Sequence, residues 1–269
     1  MKKQVMNFLS IALMALVLFS CGGGSGKKGS GGKSLFTPVS SGHPYEMLVV
    51  IDKDMWERPA GRALFNALDM DVPGLPQPER SFRISQIIPD KFERGFRIFR
   101  NIIDVDIQPI YTQPKLKYSR DSYASPQMIM TIQAPDEASF EEFVNQNKQV
   151  IVDFFTKAEM NRQINLLKEK YSDVVATKVG SMFGCDVRVP VGFERYKQGK
   201  DFFWTSEDRP GSEVSMNFVV YSYPYTDKNT FTRDYFIHKR DSVMKLNIPG
   251  SLEGQYMATD SNYVNVKEF

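Results

Sequence analysis

Cysteine and histidine are the residues of this chain that could support nucleophilic catalysis. Besides Cys21 the sequence has one cysteine, Cys185, and its two histidines are His43 and His238. A catalytic thiol needs a base within hydrogen-bonding distance, and the spacing of these residues does not bring them together. Cys185 lies at the predicted start of a strand, where a buried structural cysteine is expected. Two histidines and one thiol are also too few for a zinc or transition-metal centre, so we expect no metal.

Acidic residues near Asp52 offer a second kind of chemistry. Asp52 and Asp54 lie at the end of a predicted strand, with Glu46 and Glu57 close by. Glycosidases use paired carboxylates as acid and nucleophile or base. Surface carboxylates that flank a turn are the alternative, which we favour because no acid partner is identified. The chain also has no G-x-S-x-G, phosphate-loop or dinucleotide motif, so we predict neither a cofactor nor an enzyme activity.

Aromatic and basic residues alternate in the stretch 111–123. This mixture can stack on single-stranded nucleic acid where the two share a compartment, and it could equally hold a sugar ring or an acidic partner. A solvated hairpin or loop is the alternative. The candidate binding surface consists of Tyr111, Lys115, Lys117, Tyr118, Arg120 and Tyr123.

In the first half of the chain, predicted strands are followed by a long helical pattern, and these elements position the residues named above. Residues 45–51 are apolar on both faces, as in a central strand, whereas 103–107 alternate as in a half-buried strand. Asp136 can cap the start of a helix. The apolar stripe that follows fits either one long helix or two abutting helices. The predicted strands are 45–51, 82–88, 96–107 and 128–132, and the predicted helices are 60–68 and 136–179.

The second half repeats part of this plan, with a strand, a proline turn and a helix. Strands are predicted at 185–191, 201–205 and 216–223, and a helix at 230–246. The fold class is therefore α+β, with antiparallel sheets and helices packed on one face. Two similar α/β sandwich subdomains are an alternative within this class. We place the N-terminal subdomain at 35–178 and the C-terminal one at 179–269.

The N-terminus resembles the signal sequence of a bacterial lipoprotein. Lys2 and Lys3 precede a nearly unbroken apolar run at residues 8–19, and Ser20-Cys21 follows as a cleavage site. The apolar run is too short to span a bilayer. The resemblance implies that residues 1–20 are removed and that Cys21 carries a diacylglyceryl thioether and an acylated amine. Because Gly22 replaces the aspartate that retains such proteins in the inner membrane, we expect the outer membrane, with the protein facing the periplasm.

Residues 21–34 form a Gly/Ser/Lys tether that has too few apolar side chains to fold. Removal of residues 1–20 takes away two of the 34 basic residues and none of the 32 acidic ones, so the net charge falls from +2 to zero. A neutral chain does not recruit nucleic acid. With Cys21 lipidated, Cys185 has no partner for an internal disulfide.

The C-terminal half contains a series of short motifs, which are Pro190, Val191-Gly192-Phe193, Phe202-Phe203-Trp204-Thr205, Tyr221-Ser222-Tyr223-Pro224-Tyr225, Arg240-Asp241-Ser242, Ile248-Pro249-Gly250 and Tyr256-Met257. On these motifs the chain resembles a family of uncharacterised Bacteroidota lipoproteins, known as a domain of unknown function, and the likeness covers most of the chain after the tether. The family brings no established activity. Its members continue into further strands, so the resemblance implies that this chain is truncated at its C-terminus.

These observations predict a membrane-anchored envelope lipoprotein that acts as a binding or scaffolding module. The membrane would be its partner through the lipid on Cys21, together with an envelope protein or a glycan. The alternative is an envelope hydrolase that acts on a glycan or peptide through carboxylates near Asp52 or the thiol of Cys185.

Overall fold

The computed structural model describes residues 37–75, 77–207 and 216–264. The predicted signal, 1–20, and tether, 21–34, lie outside the described residues. All elements belong to one compact unit, Pro38–Phe269. The strands are β1 (Glu46–Val50), β2 (Arg83–Ile87), β3 (Asn101–Ile107), β4 (Lys115–Arg120), β5 (Met128–Ala134), β6 (Arg195–Gln198), β7 (Phe202–Glu207) and β8 (Met216–Tyr221). The helices are α1 (Lys53–Glu57), α2 (Pro59–Leu68), α3 (Arg94–Arg97), α4 (Glu137–Glu169), α5 (Asp173–Phe183) and α6 (Arg233–Asn247).

The first sheet has five strands in the order β2-β1-β3-β5-β4. Strands β1, β2, β3 and β5 run parallel to one another, and only β4 is antiparallel, paired with β5. The α+β class is confirmed, but the expectation of antiparallel strands is wrong for this sheet. The physical reason is that long crossover segments separate β1 from β2 and β2 from β3, and such segments allow strands to run parallel.

Helices α2 and α4 cover one face of this sheet. Met47, Val49 and Ile51 on β1 and just beyond it are buried in one core with Phe140 and Phe155 of α4. Burial of each phenylalanine contributes roughly 2–3 kcal/mol. The opposite face is smaller and is covered by the segment between β2 and β3, which contributes Phe92 and Phe99.

Helix α4 begins where its sequence predicts. The Asp136 carboxylate accepts a hydrogen bond of 2.7 Å from the backbone N–H of Ser139, which caps the first turn. The helix is interrupted at Asn147, whose φ of −113° and ψ of 16° are not helical.

The second sheet is antiparallel, with the order β6-β7-β8. Val175 and Val179 of α5 pack with the buried Phe203 of β7, so α5 belongs with this sheet. The boundary predicted at 178/179 falls inside α5. The two sheets differ in strand number and direction, so they are not the two similar subdomains considered as an alternative. Residues 185–191 form no strand, and Cys185 is exposed rather than buried.

No helix in the described ranges is long and apolar enough to cross a membrane.

Candidate functional site

A groove of about 790 Å³ opens beside the first residues of β1 and β2. A second depression, of about 490 Å³, adjoins it, because Tyr45, Glu79, Arg80 and Ser81 line both. We call the two together the Tyr45 groove. Cavities of a few hundred cubic ångströms are the size of ordinary small-molecule and peptide side-chain sites.

Tyr45 has an unusual backbone conformation at the centre of this groove. Its φ is 61°, in the left-handed region that non-glycine residues seldom adopt. The conformation is held on both sides, because the carbonyl of Tyr45 accepts a hydrogen bond from the N–H of Arg83 and β1 begins at the next residue. The ring lies 6.3 Å from that of Phe82, centroid to centroid, and remains 37% exposed. Backbone strain of this kind often accompanies a functional position.

The loop between α2 and β2 forms a wall of the groove and is fixed at its base. The backbone N–H of Ser81 donates to the carbonyl of Met70, and that of Val72 donates to the carbonyl of Glu79. Arg80 forms an ion pair of 2.8 Å with Asp69. The wall is thus held in place without a disulfide.

The Tyr45 groove has both charged and apolar lining. Charged side chains of Asp69, Arg80 and Arg83 line the first part. The second part shares Arg80 and adds an apolar rim from Val72 and Leu75, and α4 closes it. The groove can therefore hold a ligand that has both a polar and an apolar portion.

The structure divides the surface predicted at 111–123 between the two faces of the sheet. Lys115 and Lys117 of β4 point to the smaller face. Tyr118 and Arg120 point to the other, where the ring of Tyr118 lies 4.7 Å from that of Phe154 on α4. Tyr123 packs edge-to-face on Phe92, on the smaller face. The six residues therefore do not form one continuous binding surface.

Tyr111 joins a polar cluster that its sequence context does not reveal. Its hydroxyl donates to the Asp106 carboxylate at 2.5 Å, and the Gln133 amide donates to the same oxygen at 2.6 Å. The bond to Asp106 is the main reason that the pKa of Tyr111 is raised. Asp104 lies two residues before Asp106 and therefore on the same face of β3. Lys117 of β4 points to that face of the sheet as well.

The two aspartates of this cluster have pKa values displaced in opposite directions. Burial, followed by the charge of Asp106, raises the pKa of Asp104. Partial burial acts on Asp106 in the same sense, but hydrogen bonds from Tyr111, Gln133 and Gln108 outweigh it and lower the pKa of Asp106. One carboxyl therefore keeps its proton more readily than its neighbour. The sequence signal that could have revealed this pair of carboxyls is the Asp-x-Asp spacing at the end of a half-buried strand.

The other predicted chemical groups are placed apart or have structural roles. The Asp52 carboxylate accepts hydrogen bonds from the N–H groups of Asp54 and Met55, at 2.9 and 3.1 Å, and so caps α1. Cys185 follows α5, whereas His238 lies on α6, and no hydrogen bond joins them within the part of the chain that the structure describes. Within those same ranges no group of three or more His, Cys, Asp and Glu could hold a metal ion.

The first sheet packs against α2 and α4, the second packs against α5, and both lie in one compact α+β unit. Residues 40–168 match the family model of a domain of unknown function (DUF8532), and residues 172–269 match that of a second domain of unknown function (DUF4837). The junction coincides with the end of α4 and the start of α5. Both matches are to domains of unknown function, which is consistent with the expected uncharacterised family. The search of curated proteins and that of solved structures gave no significant match.

Proposed function

We propose that this protein is a membrane-anchored envelope lipoprotein of the Bacteroidota type, and that its folded part binds a ligand in the Tyr45 groove. The lipid would be attached at Cys21, and the tether 21–34 would hold the folded part near the inner surface of the outer membrane. Acyl chains contribute about 0.8 kcal/mol for each buried methylene group, so two or more anchor a protein stably.

The observation that carries the proposal is the Tyr45 groove itself. It combines a ligand-sized volume with a half-exposed aromatic ring, charged side chains and an apolar rim in its second part. An aromatic ring next to carboxylate and guanidinium groups suits a sugar ring or a peptide segment, because such ligands present both apolar faces and hydrogen-bonding groups. We therefore favour a glycan or a protein segment of the envelope as the ligand.

Photocrosslinking within the groove tests this function. The full-length lipoprotein is captured from its own membranes after crosslinking, and the recovered partners are compared for wild type, Tyr45→Ala and Tyr263→Ala. Tyr263 is exposed to a similar extent, 44% against 37%, and does not line the groove. We expect the partner to be lost only with Tyr45→Ala. Equal recovery with all three proteins would contradict binding in the groove.

The anchor has a separate test. Substitution Cys21→Ser removes the thiol that would carry the lipid, so the protein should no longer incorporate labelled fatty acid and should leave the membrane fraction. Substitution Cys185→Ser is the matched control and should change neither property. Retention of label by Cys21→Ser would contradict lipid attachment at that residue.

A hydrolase remains the second candidate, and the opposed pKa values of Asp104 and Asp106 favour it. A carboxyl that keeps its proton can act as general acid, while an ionised neighbour acts as base or nucleophile. Turnover of a cell-wall glycan by the wild-type protein, abolished by either Asp104→Asn or Asp106→Asn, would support this candidate over binding alone. Turnover that survives both substitutions would exclude this pair as the catalytic groups.

A further inference from the structure

A separate pocket of about 280 Å³ lies where α4 passes the end of β4 and the start of β5. We call it the basic pocket. None of the residues that line it carries a negative charge, and most of the polar ones are hydrogen-bond donors. The polar lining consists of Arg120, Gln127, Lys157, Asn161, Arg162 and Asn165.

The positive charge of the basic pocket is reinforced by a buried ion cluster behind it. The fully buried Glu159 carboxylate accepts hydrogen bonds of 2.7 Å from both Arg100 and Arg162, whose side chains are only 15% and 10% exposed. Two guanidinium groups thus share one carboxylate. In addition, the Nε atom of Arg100 is buried without a hydrogen-bond partner. The cluster therefore leaves one positive charge uncompensated in a poorly solvated place.

The two cations at the mouth of the basic pocket are weakly neutralised. Lys157 has no ion-pair partner among the described residues. Arg120 reaches only Asp121, at 3.5 Å, and its side chain is 74% exposed. Counting the lining residues, their ion-pair partners and Arg100, which is the second cation on Glu159, four cations stand against the two carboxylates of Glu159 and Asp121. A doubly charged anion would balance this site.

We propose that the basic pocket binds a phosphate monoester group. Arginine presents a fork of N–H donors that matches the oxygens of phosphate, and lysine adds a point charge. The side-chain amides of Asn161 and Asn165 can donate to oxygens that the cations do not reach, whereas the amide of Gln127 already donates to the carbonyls of Arg97 and Phe99. The volume suits a headgroup-sized fragment rather than a whole nucleotide or glycan. This site is distinct from the Tyr45 groove and does not depend on the function proposed there.

Calorimetric titration of the full-length protein, purified in a neutral detergent, tests the proposal. Inorganic phosphate and glycerol 1-phosphate are the two probes, with ionic strength held constant by sodium chloride. The double substitution Arg120→Gln/Lys157→Gln should weaken binding of the phosphate probes at least about tenfold, because each change removes a charge-assisted hydrogen bond. Both side chains are exposed, so these changes spare the core. Arg162 is left intact because it also holds the buried cluster together.

The matched control is Arg94→Gln/Lys91→Gln, which removes the same two charges from exposed positions that do not line the pocket. It should bind the probes like the wild type. Tighter binding of glycerol 1-phosphate than of phosphate supports a lipid-type headgroup as the natural source, and equal binding supports free phosphate. Absence of binding to the wild type, or the same loss with both double variants, would overturn the proposal.

Discussion

The side-chain amide of Asn101 donates a hydrogen bond of 2.7 Å to the carboxylate of Glu159, and both residues are fully buried. This bond joins the start of β3 to the second half of α4. Arg100 and Arg162 bind the same carboxylate from two sides, and Arg162 also donates to the carbonyl of Arg100. One acidic side chain thus holds together residues that lie between 58 and 62 positions apart in the chain.

Removal of the Glu159 carboxylate should therefore destabilise the protein strongly. Substitution Glu159→Ala leaves two arginines buried without their counter-ion, and losing one partner of a buried ion pair costs about 3–5 kcal/mol. Urea unfolding followed by circular dichroism measures this change. Glu142→Ala, on the exposed side of the same helix, is the control and should alter the free energy of unfolding by less than about 0.5 kcal/mol. Equal effects of the two substitutions would mean that the cluster contributes nothing to stability.

Asp104 should make the protein less stable as the pH rises. Because burial and then the charge of Asp106 raise its pKa, the folded state binds the proton more tightly than the unfolded chain does. Its ionisation therefore costs stability as the pH rises from the ordinary value of 3.8 through the folded value. Substitution Asp104→Asn should raise the free energy of unfolding at pH 7 and leave it nearly unchanged at pH 3.

Asp106 should change the pH dependence of stability in the opposite direction from Asp104. Its pKa is lowered, so its contribution to stability is present above 3.8 and is lost as the pH falls towards the folded value. Asp106→Asn should therefore lower the free energy of unfolding at pH 7, where Asp104→Asn raises it. Denaturant titrations of both variants at pH 7 and pH 3 check the two signs. Changes of the same sign at pH 7 would show that the surroundings do not separate the two carboxyls.

Strain in the backbone of Tyr45 should be measurable as a difference in stability between variants that lack the side chain. A left-handed φ costs a non-glycine residue about 1–2 kcal/mol, and glycine avoids this cost. Tyr45→Gly should consequently be more stable than Tyr45→Ala by about 1 kcal/mol, as measured by urea unfolding. At Tyr196 in β6, where φ is not positive, the order should be reversed. A Tyr45→Ala protein as stable as Tyr45→Gly would show that the conformation is not strained.

Much of the fold could be predicted from local pattern. Residues 45–51 are apolar on both faces because β1 lies between two parallel neighbours with both of its faces covered. The capping residue Asp136 and the stripe that includes Phe140 and Phe155 likewise gave the start and the buried face of α4. The direction of β2 and β3 was not predictable in this way, because it depends on how their long connections cross the sheet.

The sites were less predictable because they depend on contacts between distant residues. Recognition of residues 115–120 as a strand would have separated Lys117 from Tyr118, since successive side chains of a strand point to opposite faces. No local pattern, however, announces that Arg100 will meet Glu159, 59 residues later. Nor does a tyrosine at position 45 predict a left-handed backbone, because glycine or asparagine usually occupies such positions.

Two helical glycines should respond in opposite ways to the same substitution. A Cβ atom on Gly61 of α2 would lie 2.5 Å from Cα of Trp56 and would also collide with the carbonyl of Met55, so the backbone of α1 would have to move. A Cβ atom on Gly180 of α5 would meet nothing closer than the carbonyl of Cys185, at 3.8 Å. Gly61→Ala should therefore destabilise the protein by about 1–3 kcal/mol, as overpacking does. Gly180→Ala should stabilise it by about 0.5–1 kcal/mol, because alanine loses less conformational freedom in a helix. Thermal and urea unfolding of both variants measure the difference, and a stabilising Gly61→Ala would show that α1 and α2 do not pack this closely.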